Sequence, residues 1–230
     1  MNTYCLGGRE FKTSVKTIAI TDGINTDLNM DIGNRVALEK VDKFCYLGDI
    51  LDADGGCDSA VTARVRCAWK KFREYLPILT GKGFSLKLKG KVYTSCVRSC
   101  LIHGSETWPM TAEHEMKLNR TEMSMIRWMC AVKLNERKRN EELGVLLGLE
   151  LVSLVIKKSR LKWFGHVERK DDTDWVKRSM TLEVDGFRQK GRPKKTWWDC
   201  VKHDMESLGL YREDAQFRNK WRRKIKGATG

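Results

Sequence analysis

Three observations in the sequence predict an α+β fold with a short β-rich start and a mostly helical remainder. The apolar residues alternate up to about Cys57, then recur at threes and fours from Asp58 onward. Gly and Pro divide the helical part into segments of ordinary length. Hydrophobic residues make up 41% of 230 positions, enough for a packed core. The segments expected are a β-meander over 1–57, helices over 58–109 and 110–170, and a basic linker with terminal helices over 171–230.

The β-rich part is read from its alternation. Phe11 to Ile20 is rich in Thr, Val and Ile. Leu28, Met30 and Ile32 alternate with polar residues, and Gly33-Asn34 can turn the chain into Val36-Ala37-Leu38. Phe44 to Gly48, then Ile50-Leu51, reads as a further strand ended by Asp52-Ala53-Asp54-Gly55-Gly56. Calcium is a poor fit to this loop, because the spacing would make Ile50 the first ligand. Four short strands bury little, so the segment reads as the edge of a larger sheet.

The helices follow in order. Val61, Val65, Ala68, Phe72, Tyr75 and Leu79 form one stripe, with Asp58 or Ser59 as the cap. Ser85 caps a second helix to about His103, with Leu88, Val92, Cys96 and Cys100 as its stripe and Tyr93, Val97 and Leu101 widening it. A methionine-rich helix over 112–132, a short one from Asn140 to Leu147 and one over 152–169 come next. The last of these carries Val152, Ile156, Trp163 and Val167 on one stripe. Residues 170–190 read as a polar linker with an extended piece near Thr181–Val184. Thr196 and Asp199 have capping-box spacing ahead of Trp198, Val201, Met205 and Leu208. Gly209 stops that helix, and Phe217, Trp221 and Ile225 mark the final one.

Charge narrows the function. The net charge is +14, and residues 186–230 hold 13 Lys and Arg against 5 Asp and Glu. An excess of this size and asymmetry points to acidic partners, nucleic acid first. No apolar run is long enough to span a bilayer, the start lacks a signal-peptide core, and the eight cysteines show no disulfide framework. An intracellular protein is expected. No C-x-x-C pair declares a zinc site, and Cys96, Cys100 and His103 read as one face of a helix. Arg66, Lys70 and Arg73, flanked by Arg64 and Lys71, share the polar face of the helix from Asp58, with Glu74 the nearby acid. They suit either a solvated surface or a row of phosphate contacts. The loop Lys190-Gly191-Arg192-Pro193-Lys194-Lys195-Thr196-Trp197-Trp198 combines fixed charge with two indoles. Trp198 belongs to the apolar stripe, which leaves Trp197 as the stacking candidate. No nucleophile–base pair, Walker loop or aspartate-bearing catalytic hairpin stands out.

Four segments together resemble a known family. Val41-Asp42-Lys43-Phe44-Cys45-Tyr46-Leu47-Gly48, with Gly55 and Arg64-Val65 beyond, is similar to the stretch after the palm motifs of non-LTR (LINE-type) retrotransposon reverse transcriptases, the RTE-like group above all. Gly104-Ser105-Glu106-Thr107-Trp108, Trp163-Phe164-Gly165-His166-Val167-Glu168-Arg169 and Gly191-Arg192-Pro193-Lys194-Lys195-Thr196-Trp197 resemble later motifs of that family, in its order. His103 and Asp49 depart from its pattern.

The resemblance implies a primer-gripping hairpin at Tyr46, Leu47 and Gly48, and a helical thumb over 58–109 that holds template–primer duplex. A C-terminal nucleic-acid-binding region would include His166, Arg169, Lys190, Arg192, Lys194, Lys195 and Trp197. RNA and DNA are the implied partners, with the rest of a retrotransposon polyprotein, in the nucleus after a cytoplasmic phase. Paired catalytic aspartates would lie upstream of Met1, and Mg²⁺ with them, so this chain alone is expected to be catalytically silent. Two other readings stay open. One is a stand-alone DNA-binding module in which Gly191-Arg192-Pro193 acts like an AT-hook. The other is a non-functional relic with an unpaired sheet edge.

Overall fold

The computed structural model describes residues 30–31, 37–38, 41–133, 135–136, 138–181 and 194–227. The expected strand from Phe11 to Ile20, the Gly33-Asn34 turn and residues 182–193 lie outside them. The α+β class holds: two small antiparallel hairpins precede ten helices among the described residues.

The alternating segments pair locally rather than as one meander. β1 (Met30–Asp31) pairs with β2 (Ala37–Leu38), and β3 (Lys43–Tyr46) pairs separately with β4 (Asp49–Asp52). The segment read as a single strand from Phe44 to Leu51 is therefore a hairpin. Leu47 and Gly48 both take positive φ, 49° and 81°, and turn the chain in two residues. Gly accepts that conformation without cost; Leu47 does not, which is why periodicity alone reads through the turn.

α1 (Asp58–Glu74) begins at Cys57, without a side-chain cap. Asp52 instead reaches across from β4 to accept the Ser59 amide at 3.1 Å. α2 (Leu76–Thr80) continues after a break ahead of Pro77. Ser85 caps α3 (Leu86–Val92) as expected, and the same helix runs through a π-helical stretch, Tyr93–Arg98, into α4 (Ser99–Leu101). Its buried face is Gly90, Tyr93, Val97 and Leu101, whereas Leu88 is exposed and Cys96 and Cys100 only partly covered. The predicted main stripe is thus the margin. A π turn holds more residues than an α turn, so it offsets the drift of the i, i+4 row and keeps the row beginning at Tyr93 inward.

α5 (Ala112–Met129) starts with a capping box between Thr111 and His114. α6 (Asn140–Leu147) ends at Gly148 with φ 66°, and α7 (Val152–Glu168) follows. α8 (Trp175–Thr181) lies in the stretch expected to be a linker with an extended piece. Asp174 starts it by accepting the Val176 amide at 2.9 Å, and Lys170 pairs with Asp174 at 2.8 Å. α9 (Trp197–Ser207) has the Thr196–Asp199 capping box in full, and Gly209 stops it with φ 61°. A 3₁₀ turn, Arg212–Gln216, leads to α10 (Arg218–Gly227). Phe217, expected on the last apolar stripe, precedes α10 and is 68% exposed.

Two cores share one beam. The larger packs α1, α2, α3–α4, α5 and α6 around Phe72, Leu79, Tyr93, Leu118 and Met125. The smaller packs α9 and α10 around Phe164, Val201 and Trp221. α7 belongs to both, giving Val152 and Ile156 to the first and Leu161 and Phe164 to the second. Arg160 of α7 and Asp204 of α9 form a buried ion pair at 2.6 Å between them. No described helix is long and apolar enough to cross a membrane.

Candidate nucleic-acid interface

The hairpin tip is presented rather than packed. Tyr46 is exposed and Leu47 is 81% exposed beside Gly48. Beneath it, Arg64 of α1 donates to the Gly48 carbonyl at 2.7 Å and lies 3.8 Å from Asp49. Arg64 is 8% exposed, so its charge shapes the turn instead of the outer face. Asp49 also accepts the Trp108 indole N–H at 3.0 Å. Gly104 sits so close that a Cβ there would meet the Asp49 carboxylate at 2.6 Å. Asp49, directly after the first motif, is thus the point where the first two motifs join.

The fourth motif closes onto the second. Trp197 donates its indole N–H to the Glu106 carbonyl at 2.7 Å and is half-buried. Trp197, expected as the stacking residue, is thus engaged in an internal tie. Trp198 is also half-buried, 5.5 Å from the Phe164 ring, with Lys202 and Arg212 each 5.5 Å from its centroid. Lys194 pairs with Asp54 at 2.8 Å, fixing α9's leading loop to the turn after β4. Lys195 is exposed. Lys190 and Arg192, and with them the Gly191-Arg192-Pro193 core, lie outside the described residues. The third motif turns inward at Gly165, where a Cβ would lie 2.4 Å from the Trp221 indole nitrogen, and outward at His166, exposed with its ring 5.5 Å from Trp163. Arg169 is partly covered and donates to the Ala215 carbonyl at 2.6 Å.

The Lys194 bond is the main reason the Asp54 carboxyl is held below its ordinary value, with the Gly56 amide second. A depressed carboxyl stabilises the folded form above the ordinary aspartate range and loses that contribution as pH falls through the folded value. The Asp54 titration followed by NMR should therefore have a low midpoint that rises in Lys194→Ala. An unchanged midpoint would show that the loop is not tied there in solution.

Arg66, Lys70 and Arg73 are all exposed on one side of α1. Lys71, one of the flanking cations, is taken up by Glu74 at 2.7 Å. That pairing also occupies Glu74, the acid next to the row in sequence.

Two features were not anticipated. His114 lies 3.3 Å from the Cys57 sulfur through Nδ1 and 2.8 Å from Asp58 through Nε2. The order suggests a thiol–imidazole–carboxylate relay, but Nδ1 already accepts the Thr111 amide at 3.3 Å. Burial, then the Asp58 charge, pushes the Cys57 thiol up to about 12, so it stays protonated and the set works as a helix cap. The second is an open groove of about 1020 Å³ over α5, floored by Met123 and Trp128, which contains none of the residues expected at the interface. Among the described residues no group of three His, Cys, Asp or Glu side chains is placed to hold a metal. The adjacent aspartates Asp171 and Asp172 stand before α8, and Asp172 pairs with Lys177 at 2.7 Å.

The chain is similar to a putative uncharacterized transposon-derived protein, F52C9.6, of Caenorhabditis elegans, with 25% identity over 178 residues. The match covers 73% of this chain and 62% of that protein's length. This likeness supports a relation to transposable elements. No family model matches the chain, and no solved structure matches it.

Proposed function

We propose that this chain holds a template–primer duplex as a non-catalytic part of a non-LTR retrotransposon reverse transcriptase. The observation that carries the reading is the exposed Arg66, Lys70 and Arg73 row on a helix bonded directly to an exposed hairpin tip. From Arg66 to Arg73 the helix rises about 10 Å, roughly three steps of phosphates at about 3.4 Å each along one strand. Arg64 fixes the hairpin against that helix, so Tyr46 and Leu47 keep a set position on the helix that carries the cations. The transposon-derived relative and the order of the four motifs support the family. In this reading nucleotidyl transfer, and the Mg²⁺ it uses, belong to a palm segment this sequence does not contain. The other partners would be the remaining parts of the same polyprotein, meeting nucleic acid in the nucleus.

The test is titration of an RNA–DNA hybrid duplex across a salt series with the parent chain and Arg66→Ala/Lys70→Ala/Arg73→Ala. Loss of three phosphate contacts should reduce the slope of log K against log salt by about 3. Affinity should fall roughly tenfold or more at low salt. Identical slopes for the two proteins would remove the row from the interface.

A further inference from the structure

We propose that Arg169, Arg218 and Arg222 form one phosphate-binding site, taking a backbone phosphate of nucleic acid in the seam between α7 and α10. The site rests on the nucleic-acid reading above, and it uses residues on a different helix pair.

The two flanks of α10 are unlike. Trp221 points into the core and donates its indole N–H to the Leu161 carbonyl at 2.8 Å. On one flank Lys220 pairs with Asp214 at 2.9 Å, and Lys224 pairs with the same carboxylate. That flank is internally compensated. On the other, Arg218 and Arg222 stand one turn apart, both exposed. Across the seam the Arg169 guanidinium lies against Gly165, where a Cβ would be 3.1 Å from Nη1, and is held by the Ala215 carbonyl at 2.6 Å. Gly165 is also where Trp221 packs, so Arg169 lies at the contact whose α10 side Arg218 and Arg222 flank by their spacing from Trp221.

None of the three has a carboxylate partner among the described residues. Two nearby acids are engaged elsewhere: Glu168 with Arg212 at 3.0 Å, and Asp214 with the two lysines. Burial first, then the charges of Arg218 and Arg222, hold the Arg169 guanidinium below its ordinary value. Like charges gathered this way repel one another, and an anion bound among them removes the cost. Guanidinium suits a phosphate because its planar donors can engage two oxygens at once. His166 stands exposed one turn before Arg169 on α7.

The experiment compares Arg218→Ala and Arg222→Ala with Arg223→Ala, a neighbouring exposed cation on the same helix that points away from the seam. Each protein is titrated with duplex DNA and RNA–DNA hybrid over a salt series, and with vesicles containing phosphatidylserine. The two seam variants should each lower the salt slope by about 1, with Arg223→Ala close to parent. Equal effects from all three would mean diffuse charge and would overturn the site. Loss of vesicle binding with nucleic-acid binding intact would assign the phosphate to lipid and also overturn it. No nucleic-acid binding by the parent chain would sink the broader reading, whereas parent binding unchanged in both seam variants sinks this site alone.

Discussion

Replacing Glu122 with alanine is expected to cost about 3–5 kcal/mol of folding free energy, because it leaves a buried guanidinium without its anion. Glu122 on α5 accepts from Arg98 Nε at 2.8 Å and from the Tyr93 hydroxyl at 3.0 Å. Arg98 also donates to the Glu150 carbonyl at 2.6 Å, so one buried set joins the π-helical segment, α5 and the approach to α7. Burial, followed by the Glu122 charge, raises the Tyr93 hydroxyl well above its ordinary value, which keeps it a donor at any physiological pH. Glu122→Ala strands both donors. Glu122→Gln keeps an acceptor of the same shape and should lose less. Urea unfolding of the three proteins checks the order. A loss below about 1 kcal/mol in Glu122→Ala would mean that water reaches the site and the pair is not buried in solution.

Gly90→Ala should be the most damaging glycine-to-alanine change among the described residues. The added Cβ would stand 1.9 Å from the Leu147 carbonyl oxygen. That oxygen belongs to the last residue of α6, so no side chain can rotate away and α3 must separate from α6. Lys89 holds the neighbouring geometry by donating to the Met129 carbonyl at 3.3 Å, at the end of α5. Overpacking of this kind costs about 1–3 kcal/mol and more where backbone must move. By helix propensity alone the same change should stabilise by about 1 kcal/mol, so the two effects predict opposite signs. A raised melting temperature in Gly90→Ala would show that α3 and α6 are not in contact there.

Both predictions depend on approaches that the linear sequence conceals. No pattern along the chain singles out Gly90, and only the position of Leu147 explains it. None joins Arg98 to Glu122 either, since they are 24 residues apart on different helices. The cationic row on α1 was legible, since three cations at helical spacing need only the helix to share a face. Arg64 was not, because its inward turn is decided by the Gly48 carbonyl of the hairpin beneath it. The same holds for Lys194 and Trp197, whose partners Asp54 and Glu106 lie 140 and 91 residues away.

Local chemistry in the sequence determined where elements begin and stop: Ser85 and the Thr196–Asp199 pair start helices, and Gly148 and Gly209 end them. These are short-range choices of backbone angle and capping bond, which neighbours along the chain settle. The four motif segments were also visible as words. Tertiary structure decided how they are placed: Asp49, next to the first, is bonded to Trp108 of the second, Glu106 of the second to Trp197 of the fourth, and Gly165 of the third packs against Trp221 of α10. It also decided which cations face solvent, because whether a charge is exposed or bonded depends on groups brought near by packing, and packing is not a property of any one stretch of chain.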